Sequence, residues 1–410
     1  MKYAHLSDLH IGSWRDERMR NVSLAVFARA MEMCVEEKVD FILFAGDLFN
    51  TALPAIEALV LVAQKLRELK EMNIPVYIIP GSHDFSMSGK TMLDVLENGG
   101  LLINVCKGQV VDKKLQLRFT TDAKTGAHIT GMLGKKGMLD RLFYEDLDRE
   151  HLHQEKGYKI FMFHTALSEL KPTHLERMDT QPVSLLPLGF DYYAGGHVHH
   201  RMEFSGNGYK LVTQPGALFP NNFAELEKYG HGGFFVIDTS GAVSEGNAGL
   251  RWLPVIVRQR IHLTIDCDGQ KPEDVYGRAV KETEAHDVNH ALVTMRFSGT
   301  LAEGRVTDVR MKDISAFVYA AGAHVVLKNA AELRSKELEE VKIGTESIED
   351  IEAAIISEHA GQITVGLERT QEIELTRELI HALSLEKKEG ETSKDFEDRV
   401  KRVGLSVVRV

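Results

Sequence analysis

Short apolar runs rich in β-branched and aromatic residues alternate with longer stretches of helical periodicity through roughly the first 200 residues. Residues 3–6 read as a strand and precede a helical pattern over 21–37. Residues 41–45 precede a long helix over 55–72, and residues 76–79 precede a loop and a short helix over 91–97. Further strand-like runs lie at 160–163, 192–194, 210–212 and 233–237. This alternation predicts an α/β fold built on layered sheet. The Gly-rich stretch 230–249 reads as hairpins and turns, closing on an extended 251–257.

Beyond that point the texture changes. Strand-like 261–265, 291–297 and 324–327 alternate with helical 272–285 and 312–321, which predicts a small α/β domain. Past residue 342 the chain turns acidic and helical, with amphipathic segments at 374–385 and 394–403 around a polar loop. Leu375, Leu379 and Leu383 stripe the first, and Phe396, Val400 and Val403 the second. So short a tail supports only a marginal core of its own, which favours a groove on a partner as the resting place of both stripes. The expected boundaries are 1–258, 259–342 and 343–410.

The chain has 410 residues, room for two or three domains. Its 60 acidic and 49 basic residues give a net charge of −11, and the tail from Thr345 onward holds 15 acids against 9 bases. A protein gripping nucleic acid by bulk charge alone is therefore excluded, and any such binding is local or helped by cations. The three cysteines, Cys34, Cys106 and Cys267, are far apart and form neither a disulfide framework nor a zinc knuckle. The N-terminal residues lack the apolar core of a signal peptide, and no apolar run is long enough to span a bilayer. A cytoplasmic protein without membrane attachment is expected.

The candidate chemistry lies where strands end. Asp8 and His10 follow the first strand, Asp47 the second, and His83 and Asp84 the third, in PGSHD. His164 follows residues 160–163, and His197 and His199 follow 192–194 in GGHVHH. In open α/β sheets ligands bind beyond the carboxyl ends of strands, so these side chains can converge. Mixed carboxylates and imidazoles suit Mn²⁺, Zn²⁺ or Fe²⁺ better than Mg²⁺. There are more donors than one ion needs, and a bridged pair of ions fits phosphate ester hydrolysis. The other histidines, His5, His128, His151, His153 and His200 among them, read as surface or core residues. Residues 89–91 read GKT, but Asp84 stands where a phosphate-binding P-loop needs its first glycine, so ATP binding is excluded. Lys135 and Lys136 read as a solvated loop before they read as a DNA contact.

The ordered set of motifs, with GDLFN at 46–50, PGSHDFSMSGKTMLDVLE at 80–97 and PGALFPNNF at 215–223, resembles the calcineurin-like metallophosphoesterases. Within them it is similar to the nuclease subunit of the double-strand-break repair complex, the Mre-eleven/SbcD type in its archaeal form. The resemblance is strong over residues 1–258 and thinner beyond. It implies a layered β-sandwich core flanked by helices, with a small α/β capping domain at 259–342 that helps engage DNA. A helical C-terminal tail at 343–410 would then dock on an SMC-like ATPase.

By position, the resemblance assigns one ion to Asp8, His10, Asp47 and His199, and a second to Asp47, Ser82, His164 and His197. It implies two Mn²⁺ ions per subunit, with Asp47 bridging. Ser82 stands where the family has Asn, and a hydroxyl is a poorer donor than an amide carbonyl. His83 would protonate the leaving 3′ oxygen, and Asp84 would orient and polarise His83. The implied function is a metal-dependent DNA nuclease, a double-strand 3′–5′ exonuclease and single-strand endonuclease working in a homodimer with the ATPase. Apolar residues of 55–72 and 91–97, among them Ile56, Leu59, Leu66, Met92 and Leu93, read equally as core and as dimer contact. Two rivals are a small-substrate phosphodiesterase and a mainly structural DNA-tethering subunit.

Overall fold

Phe41–Ala45 reads FILFA and is buried at every position, the pattern of a strand covered on both faces. It pairs in parallel with Lys2–Leu6 and Val76–Ile79, in registers that set Phe44 beside Leu6 and Ala45 beside Ile79. Successive side chains of a strand point to opposite faces. Phe41, Leu43 and Ala45 accordingly join Tyr3, Tyr77 and Ile79 in one core, while Ile42 and Phe44 join Ala4, Leu6 and Ile78 in another.

The structure is a computed structural model that describes residues 1–84, 91–135, 141–171, 178–240, 249–336, 353, 355–357, 360, 367–385, 387 and 393–408. Gly89, Lys90 and Lys136, named above, lie outside the described residues. Backbone contacts divide the chain into two compact units. The first comprises Met1–Ile261, Asn289–Thr294 and Ala323–Leu327; the second comprises His262–Val288, Met295–Gly322 and Lys328–Val410.

The first unit contains two six-stranded sheets. One runs in the order Leu250–Pro254, Gly233–Asp238, Lys2–Leu6, Phe41–Ala45, Val76–Ile79, Ile103–Asn104. The other runs Met202–Gly206, Tyr209–Gln214, Tyr192–Gly196, Lys159–His164, His128–Gly131, Thr120–Thr121. Tyr3, Phe41 and Leu43 of the first sheet pack with Ile129, Ile160, Met162 and Tyr192 of the second, so the sheets form a sandwich. Helices Glu17–Glu36 and Ile56–Glu71 cover the first sheet with Val22, Phe27 and Met31, and with Val62, Leu66 and Leu69. Phe161, Phe163 and Tyr193 on the outer face of the second sheet pack with Tyr144, Leu152, Leu170 and Leu186. Each fully buried Phe or Leu contributes roughly 1.5–3 kcal/mol, enough over these clusters to fix the layers. The expected layered α/β fold is the one observed.

Some elements escaped the sequence reading. The strands His128–Gly131 and Met202–Gly206 carry too few apolar residues to announce themselves, and the hairpin Gly108–Val111/Lys114–Leu117 is largely solvated. The later chain builds a three-stranded sheet, ordered Arg260–Asp266, Leu292–Leu301, Val325–Ser335, with helices Pro272–Glu284 and Met311–Ala320. In the tail, helices Arg369–Leu383 and Ser393–Val408 pack on each other. They still leave Ile380, Leu383, Leu405 and Val408 exposed. No helix among the described residues is long and apolar enough to cross a membrane.

Candidate metal centre

The parallel strands ending at Leu6, Ala45 and Ile79 in one sheet, and at His164 and Gly196 in the other, hand the chain to tight turns. Four residues of those turns are held in the left-handed region: Asp8 at φ 50°, His10 at 43°, Asp47 at 52° and His197 at 89°. For residues with a Cβ this costs of the order of 1 kcal/mol each, and it persists only where surroundings impose it. Here the loops impose it on one another. The Asp8 N–H donates to Gly46 O at 3.2 Å, and the His10 N–H to Asp47 O at 2.9 Å. The His197 N–H donates to both carboxylate oxygens of Asp8 at 3.0 Å. Gly46 (φ 91°) and Gly81 are required for close approach: a Cβ at Gly46 would enter the His164 ring, and one at Gly81 would strike the Asp47 amide and carboxylate.

Three overlapping groups of donors result: Asp8, His10 and His199; Asp8, Asp47 and His164; and His10, Asp47 and His83, each with ligand atoms within 4.8 Å of one another. His164 Nε2 lies 3.2 Å from Asp47 Oδ2 and 3.9 Å from Asp8 Oδ1. His10 Nε2 lies 3.5 Å from Asp47 Oδ2. The Nε2 atoms of His10 and His199 face each other at 3.1 Å. Two nitrogens held about 2.1 Å from a common ion at about a right angle stand about 3 Å apart. The spacing and the mixture of carboxylate and imidazole therefore fit a divalent transition metal ion.

Outward bonds fix which ring nitrogen of three imidazoles points inward. The Nδ1–H of His164 donates to Ala45 O at 2.8 Å, tying the two sheets together at the centre. His199 Nδ1 donates to Glu225 Oε1 at 3.0 Å, and His83 Nδ1 donates to Asn50 O at 2.8 Å. Each bond leaves Nε2 as the inward atom, the arrangement by which second partners orient metal ligands. Burial pushes His10 down to about 3 and His197 down to about 4, which favours the neutral, ligating form. Burial works against charge on Asp47, but His164 and His10 outweigh it and pull the carboxyl well below its ordinary range. His164 is the converse: Asp47 overcomes burial and lifts it to about 10. The carboxylates demand positive charge at this point, and a cation supplies it.

Asp84 was expected to orient and polarise His83. Its buried carboxylate accepts the backbone N–H groups of Leu48, Phe49 and Gly81 at 3.2, 3.2 and 3.0 Å, and it is the Asn50 carbonyl that orients His83. Burial and then Asp47 raise Asp84 to about 6, against the pull of those three amides. Ser82 Oγ sits at the long limit of a hydrogen bond, 3.5 Å from Asp47 Oδ2. The His197 ring lies 5.3 Å from that of His164, beside the three donor groups rather than within them.

Glu225 was not anticipated. It lies in the helix Phe223–Tyr229, accepts from the Asn221 N–H at 2.9 Å and from Asn222 Nδ2 at 2.7 Å, and lifts His199 against the effect of burial. The Asn222-x-x-Glu225 spacing at a helix start was its only local signal.

Residues 1–201 match the family model of the calcineurin-like phosphoesterases. Over 255 residues the chain is 28% identical to the DNA double-strand break repair protein Mre11 of Methanococcus maripaludis, covering 59% of this chain and 64% of that protein. It is 27% identical over 327 residues to the protein of the same name in Thermoplasma acidophilum, covering 76% and 80%. Over 257 residues it is 26% identical to the uncharacterised metallophosphoesterase YhaO of Bacillus subtilis, covering 60% and 59%. The chain spans about three fifths of the length of several of these curated relatives.

Proposed function

Residues 1–201 of this chain belong to the calcineurin-like phosphoesterase family, and from that premise we propose that the protein is a DNA nuclease acting in double-strand-break repair. The proposal covers double-strand 3′–5′ exonuclease and single-strand endonuclease activity, carried out with an SMC-like ATPase in the cytoplasm. The observation that carries it is the overlap of donor groups at Asp8 and Asp47. A carboxylate shared between groups suits two ions side by side, the arrangement used to cleave phosphodiesters. The repair proteins among the relatives point to DNA as the ester.

In this reading Asp8, His10, Asp47 and His199 hold one Mn²⁺, and Asp47, Ser82, His164 and His197 the other. Bound there, the ions would activate water at neutral pH and supply charge to stabilise the transition state. His83, its Nδ1–H held by Asn50 O, would act as the imidazolium, presenting Nε2–H to the leaving 3′ oxygen and giving it that proton, which leaves the neutral ring with Nδ1–H still on Asn50 O. Asp84 keeps the GDLFN and PGSHD loops in register through its three amides. Glu225 keeps His199 Nε2 directed inward.

The division into a nuclease domain at 1–258, a DNA-engaging cap at 259–342 and an ATPase-binding tail at 343–410 belongs to the same proposal. The exposed tail residues Ile380, Leu383, Leu405 and Val408 would fill a groove on the ATPase. Exposed Ile56 and Val60 on helix Ile56–Glu71, with Val95 on helix Met92–Asn98, support a homodimer.

The purified protein with Mn²⁺ is tested on an end-labelled DNA duplex and on bis(p-nitrophenyl) phosphate. Release of nucleotides from the duplex end is the expected result. Rapid cleavage of the nitrophenyl ester with an untouched duplex would make the protein a small-substrate phosphodiesterase. Tight duplex binding without hydrolysis of either substrate would make it a tether.

A further inference from the structure

The stretch PGALFPNNF at 215–223 supplies none of the ligands assigned above, yet it runs alongside the loop that carries Asp8 and His10. Hydrogen bonds join the two along their length. Ser7 Oγ donates to Gly216 O at 3.3 Å, and the Leu218 N–H to Asp8 O at 3.3 Å. Further along, the Trp14 indole N–H donates to Pro220 O at 2.8 Å, and Ser13 Oγ to Asn221 Oδ1 at 3.2 Å. All of these residues belong to the first unit.

His10 lacks what His83, His164 and His199 have. Each of those rings rests Nδ1 on an acceptor, whereas Nδ1 of His10 is buried and meets no hydrogen-bond partner among the described residues. Its ring is therefore aimed by its backbone, which is held at φ 43°. A left-handed residue with a Cβ keeps that conformation only where its surroundings impose it. The Ser13 N–H closes the turn on His10 O at 3.0 Å, and the Ser13 hydroxyl is the group bonded to Asn221. From there the contacts close a circuit. The Asn221 N–H donates to Glu225 Oε2 at 2.9 Å, Glu225 Oε1 accepts from His199 Nδ1 at 3.0 Å, and His199 Nε2 faces His10 Nε2 at 3.1 Å.

We propose that Ser13, Trp14 and Asn221 are positioning residues that clasp the His10 loop to the 215–222 segment and so hold His10 against His199 for a shared ion. This rests on the metal-centre reading above. Removing a group that orients a ligand weakens metal binding about 10- to 100-fold. The circuit runs through His10 and His199, while His164 is aimed separately by Ala45 O, so the effect falls on one site.

The test follows Mn²⁺ binding by calorimetry in wild type, Ser13→Ala/Trp14→Phe, Asn221→Ala and Ser13→Thr, beside thermal melts of each metal-free protein. His10→Ala is the reference that identifies the binding step belonging to His10. Ser13→Ala/Trp14→Phe and Asn221→Ala are each expected to weaken that step about 10-fold, with the other step and the melts near wild type. Ser13→Thr keeps the hydroxyl and is expected to bind as wild type does. In the His10→Ala background the same substitutions should change Mn²⁺ binding no further, because the ring they aim is gone. Equal weakening of both steps, or an undiminished loss in the His10→Ala background, would be general loosening and would overturn the clasp. So would unchanged Mn²⁺ binding in variants of a wild type whose binding does depend on His10. If the double variant does not fold, Ser13→Ala alone decides by the same readings. A wild type that binds no Mn²⁺ overturns the metal-centre reading, and the clasp with it.

Discussion

Glu225 Oε1 accepts a hydrogen bond from Nδ1 of His199 at 3.0 Å, and the opposite nitrogen of the same ring faces His10 Nε2 at 3.1 Å. A carboxylate on the start of one helix therefore sets the direction of an imidazole on a loop that follows a strand of the second sheet. Removing its charge weakens both the tautomer preference and the basicity of the ring. Glu225→Gln is expected to lower Mn²⁺ affinity about 10- to 100-fold while leaving the melting temperature of metal-free protein close to wild type. Calorimetric titration with Mn²⁺ and a thermal melt separate this from a loss of folding; equal affinity in the two proteins would reduce Glu225 to a helix cap.

His83→Gln keeps a side chain of similar reach but removes the proton donor. We expect the rate of duplex-end cleavage to fall by about 10²–10⁴, with Mn²⁺ binding retained. Nuclease activity near the wild-type level would remove His83 from the chemistry.

Ser82 offers a hydroxyl 3.5 Å from Asp47 Oδ2 where an amide carbonyl would donate more strongly. The two ions should bind with unequal affinity, the weaker beside Ser82. Ser82→Asn is expected to lower the Mn²⁺ concentration for half-maximal cleavage and to tighten the weaker calorimetric step. Two equal steps in wild type, unmoved in the variant, would show that serine suffices.

His5 lies between the sheets, fully buried, with Nδ1 2.9 Å from the Tyr192 hydroxyl and 3.2 Å from that of Thr213. Burial lowers it from 6.5 to about 3, against a smaller pull from the Gly195 backbone. The unfolded chain takes up this proton first as pH falls. The neutral ring's contribution to stability is thus whole above about pH 6.5 and is lost progressively toward pH 3. Urea unfolding across that window should show a steeper pH slope for wild type than for His5→Gln, by up to about 1.4 kcal/mol per pH unit. Parallel slopes would contradict it.

The strand ends were legible because the strands are. FILFA and its parallel neighbours are unbroken apolar runs, and whatever follows a buried parallel strand emerges at the same edge of the sheet. Asp8, Asp47 and His164 were placed by that rule alone. The three amides that Asp84 accepts were not legible, because a turn, unlike a strand, has no fixed period to say where a side chain points. Glu225 and the Asn50 carbonyl were invisible for a different reason. One acts 26 residues along the chain and the other through its backbone, and neither relation leaves a pattern in side-chain type.

Asp8, His10 and Asp47 leave one sheet of the sandwich, and His164 and His199 leave the other. An ion shared across that seam acts as a rivet, so occupancy of the centre and cohesion of the two sheets are one equilibrium seen from two sides. Saturating metal raises resistance to unfolding by an amount set by concentration over dissociation constant, about 2.7 kcal/mol at a hundredfold excess. Conversely, anything that levers the sheets apart at this edge, a bound partner included, would loosen the grip on metal without touching a ligand.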